Sequence, residues 1–405
     1  MTTTPYFAPS FRVYINDALI SADLRASVTG IQHQSGLEGA DRVELSLTNE
    51  GLRWLEDKQL RLDNSLALEI GYEPDQLQHV FTGEIVSQSA SFPSSGLPTL
   101  TIAAQDRRHR QQEGARARSF GIPIPTYGTV PLAPDTEVAR LVAIEDTLFA
   151  DFEPIGAIIS YVLAGVEALG AFGDPIELQK LVRKQEGESN YEFLSRLARE
   201  NGWEMFIDHT ASADGLLLRF FSTISDGRQA DVTLAYGKSL IDFNPRISKV
   251  GQIASVTAFV WIARIKMRLA ITIGWDWEHA QFTFGVGVGA APGGTGPSSV
   301  LIEEPIALAS VPRKIIKTLI PKLNKYLTGT GSTVGDPRIQ AGKLLRLEGL
   351  ERRFNGLYRV TSATHTIDSS GYRTSFEVHR ELRDLPLPAG TSAPFKFQGT
   401  FGGIS

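Results

Sequence analysis

Seven histidines carry the most obvious chemistry in this 405-residue sequence: His33, His79, His109, His209, His279, His365 and His379. Only His365 and His379 stand close, on two strand-like runs separated by Ser369-Ser370-Gly371. Two imidazoles so placed could meet across a hairpin and share a metal ion with Asp368 or Glu381. No third ligand has metal-site spacing, so ordinary strand positions are the preferred reading and no metal is expected. The sequence has no cysteine, which removes disulfides, thiolate ligands and thiol nucleophiles together. Glu303-Glu304 is a pair in sequence only, because adjacent residues point to different sides of a helix or strand. No phosphate-loop, His-Glu-x-x-His or Gly-x-Ser-x-Gly pattern occurs. Gly285-x-Gly287-x-x-Ala290 has the spacing of a dinucleotide loop, but Pro292-Gly293-Gly294 follows where a helix should start. The expectation is a protein with no catalytic residues and no cofactor.

Other patterns point to surfaces. Arg264, Lys266 and Arg268 alternate, so a strand would present all three on one face. A solvated face is the preferred reading, and a partner-facing or channel-lining surface is the alternative. The runs Arg107 to Arg110 and Arg352-Arg353 carry the same two readings, a solvated turn being the usual one. Net charge is −5, with 40 basic against 45 acidic residues, which lacks the basic excess of a nucleic-acid-binding domain. Trp261, Trp275 and Trp277 could line a sugar-binding groove, making a surface- or carbohydrate-binding β-protein the alternative function. Met1 to Ser10 lacks a basic-then-apolar leader, so no export signal is expected. Ile155 to Gly173 has one charge, Glu167, in nineteen residues. Its glycines and its acidic neighbours Asp151, Glu153 and Asp174 argue for a buried or partner-facing helix and against a membrane span.

These features must be held by elements the pattern largely announces. Strict alternation at Phe11-Val13-Ile15, Val43-Leu45-Leu47, Leu66-Leu68-Ile70 and Leu100-Ile102-Ala104 predicts half-buried antiparallel strands. Between Gln111 and Asp174, Pro123, Pro125, Pro131 and Pro134 predict an irregular insertion ahead of the apolar helix. Ser189-Asn190-Tyr191-Glu192 is a capping box, Phe193, Leu194, Leu197 and Ala198 form one helical stripe, and Asn201-Gly202 ends it. Trp203 to Ile207 and Leu216 to Phe221, joined through Asp214-Gly215, predict a hairpin. Strands follow from Leu234 to Arg380, with a Gly/Pro-rich loop at Gly285 to Ser299. One helix interrupts them near Ser310 to Leu327, with Pro321 inside it. Asn355-Gly356 and Ser370-Gly371 mark the last turns.

The stretch Leu181 to Asp208 (LVRKQEGESNYEFLSRLARENGWEMFID) resembles the signature of phage late control D proteins and the hub portion of type VI secretion spike proteins. So do Phe81-Thr82-Gly83, the run Gly96 to Ile102 followed by Asp106, and the blocks Gly335-Asp336-Pro337 and Phe354 to Tyr358 with His365 and Gly371 to Phe376. Their order covers most of the chain between about residues 10 and 385. The resemblance implies a mainly β chain with a few helices (α+β). It implies a first β-barrel-like tube domain over 1–110 and a second over 234–385. An insertion with the apolar helix (111–180) and a helix plus β-hairpin (181–233) lie between them, and a C-terminal tail (386–405) follows. It implies a structural baseplate hub of a contractile injection system or phage tail, a homotrimer adapting a sixfold inner tube to a threefold spike. Expected partners are the inner tube protein, a separate spike protein and other baseplate proteins, assembled in the bacterial cytoplasm as part of a phage-tail-like particle. The expected interface residues are Arg264, Lys266 and Arg268, with Phe395, Phe397 and Phe401 of the tail clamping a neighbouring subunit or the spike.

Overall fold

Alternating apolar residues build the N-terminal strands, which share one buried face. The elements are β1 (Ala8–Ile15), β2 (Ala18–Leu19), α1 (Ala22–Ser27), β3 (Val28–Gly36), β4 (Arg42–Thr48), β5 (Ser65–Glu73), β6 (Gln78–Ser91) and β7 (Thr99–Gln105). Val13, Val43, Leu45, Leu68, Phe81 and Ile102 form the centre of their core. Each such side chain contributes about 1.5–3 kcal/mol through removal from water. Gly83 is required by β7: a Cβ there would lie 2.1 Å from the Gln105 carbonyl oxygen. The computed structural model describes residues 8–125, 128–131, 134–171, 174–222, 229–248, 255–262, 267–276, 281–288, 299–302, 311–381 and 395–399.

The middle of the chain contains α2 (Arg108–Gln111), β8 (Arg116–Ile124), β9 (Gly128–Pro131), α3 (Asp135–Glu145), β10 (Phe149–Phe152), α4 (Pro154–Gly170), α5 (Pro175–Lys180), β11 (Arg183–Glu188), α6 (Asn190–Asn201), β12 (Trp203–Ile207) and β13 (Leu217–Ser222). The expectation of irregular structure between Gln111 and Asp174 is corrected here. Pro123 and Pro131 sit in the β8–β9 ladder, which lies outside the main sheet. Pro134 caps α3, whose Val138, Ala139, Val142 and Ala143 are buried against α6 and the β12–β13 hairpin. The capping box is present in full, and Gly202 closes α6 with φ +68°, a conformation glycine adopts without a Cβ clash.

The last third holds β14 (Val232–Ala235), β15 (Leu240–Ile247), β16 (Ser255–Ile262), β17 (Met267–Asp276), β18 (Gln281–Val288), β19 (Ser299–Ile302), α7 (Val311–Asn324), β20 (Leu327–Val334), β21 (Leu344–Glu348), β22 (Gly356–Asp368), β23 (Gly371–Arg380) and β24 (Phe395–Gly399). Part of the expected Gly-rich loop is strand, since Gly285 and Gly287 pair with Thr272 and Ala270. The five-stranded sheet β19-β16-β17-β18-β24 packs on α7 through Val311, Ile315, Leu319 and Leu323.

The chain is mainly β with a few helices. Its two strand-rich ends form one sheet of thirteen strands, in the order β15-β20-β23-β22-β3-β4-β7-β6-β5-β1-β2, with β21 on β22 and β14 on β21. The join is the antiparallel ladder of β22 on β3, from Ser362 opposite Gly36 to Ile367 opposite Ile31. It places His365 opposite His33, both buried, with rings stacked 5.5 Å apart. A one-residue slip would turn those rings to solvent, so burial fixes the register of the join.

Candidate functional site

Three clusters of buried polar groups lie where the strand sets and the central helices meet. The first contains Arg108, whose side chain has no exposure. Sequence placed it in a solvated basic turn, and the structure corrects this. Arg108 sits at the start of α2, reached directly from β7, so its guanidinium turns inward. It donates to Asp41 Oδ1 (2.6 Å), Asp106 Oδ2 (2.8 Å) and the Gly36 carbonyl (3.1 Å). Burial alone would raise the Asp41 carboxyl, but Arg108 and His209 outweigh it and hold it below the ordinary range.

His209, beyond the β12–β13 hairpin, brings the central module into this cluster. Its Nε2 lies 3.5 Å from Asp41 Oδ2, and its Nδ1 accepts from the Thr82 backbone N–H at 3.2 Å. Asp41, Asp106 and His209 have ligand atoms close enough to surround a metal ion. The chemistry does not fit one. An imidazole accepting at Nδ1 carries its proton on Nε2, the atom a metal would need. The Arg108 guanidinium already pairs with both carboxylates, at 2.6 Å from Asp41 and 2.8 Å from Asp106. The cluster is an ionic joint between the first strand set and the centre of the chain.

The second cluster explains the apolar helix. Glu167 of α4 points inward, where Arg313 of α7 donates Nε to Oε1 (2.6 Å) and Nη2 to Oε2 (2.9 Å). Arg313 also reaches Asp135, and Arg183 of β11 donates to Asp135 Oδ1 (2.8 Å) and Glu167 Oε2 (2.9 Å). Asn201 completes it, its Nδ2 2.8 Å from Asp135 Oδ2. Five elements are thereby tied together, and a buried charge is tolerable because it is paired on several sides. Among the described residues, no helix is long and apolar enough to cross a membrane.

In the third cluster Glu204 of β12 meets α7 and the second strand set. Asn324 Nδ2 donates to its Oε1 at 3.3 Å, while Oε2 is buried without a partner. Burial pushes this carboxyl up to about 7, with Glu381 and Glu38 adding to the rise and Arg359 opposing it. Arg359 is committed elsewhere, to Glu381 Oε1 at 2.6 Å and the Gly342 carbonyl at 2.9 Å.

The residues singled out in the sequence fare differently. His365 and His379 do not face each other: His365 pairs with Thr374, and His379 with Arg359. His365 uses both ring nitrogens, with the Ile339 carbonyl at 2.9 Å and the Tyr372 and Thr374 hydroxyls at 2.9 and 3.0 Å. Burial lowers its pKa to about 4 and that of His379 to about 3. Arg268 is exposed, with its guanidinium 3.7 Å from the Phe259 ring centre. Arg264, Lys266 and Phe401 lie outside the described residues. Phe395 and Phe397 stand in β24, whose backbone pairs in parallel with Phe282 and Phe284 of the same chain. Trp275 is buried and so cannot line an open sugar groove, and Trp277 lies outside the described residues. Sequence reasoning missed Asp41, Asp135, Arg183, Glu204 and Arg313. Glu167, alone in an apolar helix, was the one available signal that a buried cation stood opposite.

No protein-family model and no curated protein matches the sequence. Solved structures do. The 43 kDa tail protein of prophage MuSo2 from Shewanella oneidensis superposes with a TM-score of 0.58 at 15% identity, over 93% of this chain and 99% of that one. A tail protein from Neisseria meningitidis MC58 gives 0.58 at 13% identity, with the same two coverages of 93% and 99%. The E. coli c3393 protein, a type VI secretion system component structurally similar to the T4 bacteriophage tail proteins gp27 and gp5, gives 0.54 at 11% identity, over 93% and 79%. The chain therefore has the fold shared by phage tail proteins and a type VI secretion component, the group its sequence motifs resemble.

Proposed function

We propose that this protein is the structural hub of a phage-tail or contractile-injection baseplate, a homotrimer that joins a sixfold inner tube to a threefold spike. The observation that carries this is the β3–β22 ladder. It makes each chain present two strand sets in one sheet, so three copies related by a threefold axis present six. Such a role needs rigid junctions and large complementary surfaces, with no catalytic group. The buried ionic joints supply rigidity by tying the first strand set to the centre of the chain and the central elements to one another. The inner tube protein, a separate spike protein and other baseplate proteins are the partners, assembled in the bacterial cytoplasm. The tail from residue 386 onward, with Phe395, Phe397 and Phe401, is assigned to holding a neighbour or the spike. Co-purification with the spike protein tests this: the full chain retains spike, and a chain lacking residues 386–405 folds but loses it. Equal retention by both chains removes the tail from the interface, and no retention by either removes the hub role.

A further inference from the structure

The β19-β16-β17-β18-β24 sheet takes its outermost strand from the tail of the chain. β24 runs parallel to β18, from Phe395 opposite Phe282 to Gly399 opposite Val286. Among the described residues, β18 is the one strand it pairs with. Without it, the outer backbone N–H and C=O groups of β18 would form an open edge, a template for any extended chain. The register also sets Phe395 against Phe282 and Phe397 against Phe284, and alternate positions lie on one face of a ladder. Backbone bonds supply the affinity of an added strand, and its alternate side chains supply the selectivity. The β18 edge is thus a receptor matched to this chain's own tail sequence.

The connection sets β24 apart from the other strands. Thirteen residues, 382–394, separate it from Glu381 at the end of the second strand set, and they include Pro386, Pro388 and Pro394. Elements of a compact domain are commonly joined by about two to six residues. A proline-containing link of thirteen residues reaches about 40 Å, more than the roughly 30 Å diameter of a small domain. Such a link can carry β24 to the β18 edge of an adjacent copy as well as to its own. The ladder gained is the same in both cases, which makes exchange of the strand a low-cost route to association. In a threefold ring each chain gives one strand and receives one, so no edge is left open.

We propose that β24 is exchanged in the assembled protein: the tail strand of each chain leaves its own β18 and pairs, in the same register, with β18 of the next copy. The proposal rests on the hub reading, which assigns the tail to a neighbour or the spike, and adds the receiving site, the register and the order of events. Before assembly the chain covers its own edge and offers no template for aggregation. After assembly three backbone ladders close the ring, and each must be peeled apart before a subunit can leave.

The chain has no native cysteine, so thiols stand only where they are placed. Thr283→Cys on β18 and Lys396→Cys on β24 put them at facing positions of the register. The mass of the particle is measured first. Two differently tagged chains, one with each substitution, are then co-expressed and treated with a short bis-maleimide. Exchange predicts a link between the two tags, and in the double variant a series on a denaturing gel that extends to three chains. A double variant linked only within single chains, in a particle of three-chain mass, overturns the exchange and leaves the hub standing. No link in either preparation takes β24 off β18 and overturns the exchange too. A particle with the mass of one chain overturns both. Should the substituted chains fold poorly, the chain lacking residues 386–405 gives a second reading. Its particle should lose subunits on dilution at least ten-fold faster than the native one, and equal rates overturn the exchange.

Discussion

Replacing Glu204 by Gln should make the protein more stable at mildly alkaline pH, and the size of the effect follows from the site. The Glu204 carboxyl rises from 4.5 to about 7, through burial first and then through Glu381 and Glu38, against the opposing pull of Arg359 and Asn324. The folded state thus holds the proton more tightly than the unfolded chain does. Its contribution to stability is complete below the unfolded value and is lost as pH rises through about 7. The rise from 4.5 to about 7, at about 1.4 kcal/mol for each tenfold in proton affinity, makes the ionised carboxylate cost about 3.5 kcal/mol above that range. Glu204→Gln keeps the shape and the bond to Asn324 but has no proton to lose. Urea unfolding midpoints measured from about pH 5 to about pH 9 should fall with rising pH in the native chain and stay flatter in the variant. The two should converge near the unfolded value. A variant with the same slope as the native chain, or one less stable at about pH 8.5, would show that Glu204 is ionised and held by Arg359, which refutes the reasoning.

Arg313→Met should lower stability by about 3–5 kcal/mol, because it leaves Glu167 and Asp135 sharing Arg183 alone in a buried site; urea unfolding measures it, and a loss under about 1 kcal/mol contradicts the network. Gly83→Ala should destabilise the first strand set severely, since its Cβ would meet the Gln105 backbone oxygen at 2.1 Å, an atom that cannot move without breaking the ladder. The expected readout is loss of soluble protein or a thermal midpoint lowered by several degrees. Zinc addition, and separately dialysis against a chelator, should leave the thermal midpoint unchanged, because Arg108 and the His209 tautomer occupy the one metal-like cluster among the described residues. A midpoint raised by zinc and reversed by chelator would show that the ion displaces the Arg108 pairing.

Local signals in the sequence were legible where one residue's chemistry decides the outcome. Ser189 and Glu192 cap α6, Gly202 ends it, and Asn355-Gly356 and Ser370-Gly371 bound β22 and β23, each as read from the sequence. Alternation at Val43, Leu45 and Leu47 identified the buried face of β4. What alternation cannot supply is the partner strand. That β22 lies on β3, more than three hundred residues away, depends on which faces bury together in three dimensions. Charge misled for the same reason. Arg108 resembles Arg107 and Arg110 in sequence, and only the folded positions of Asp41 and Asp106 separate the buried one from its neighbours. The prolines between residues 123 and 134 misled in the other direction, because strands outside the main sheet and a helix cap accept proline where a central strand does not.

The most direct test of the hub reading is the mass of the purified protein in solution, alone and with the neighbouring spike protein. The account predicts a particle of three times the 44.2 kDa of one chain, formed alone or locked by the spike. A protein that stays at the mass of a single chain, with and without spike, contradicts it.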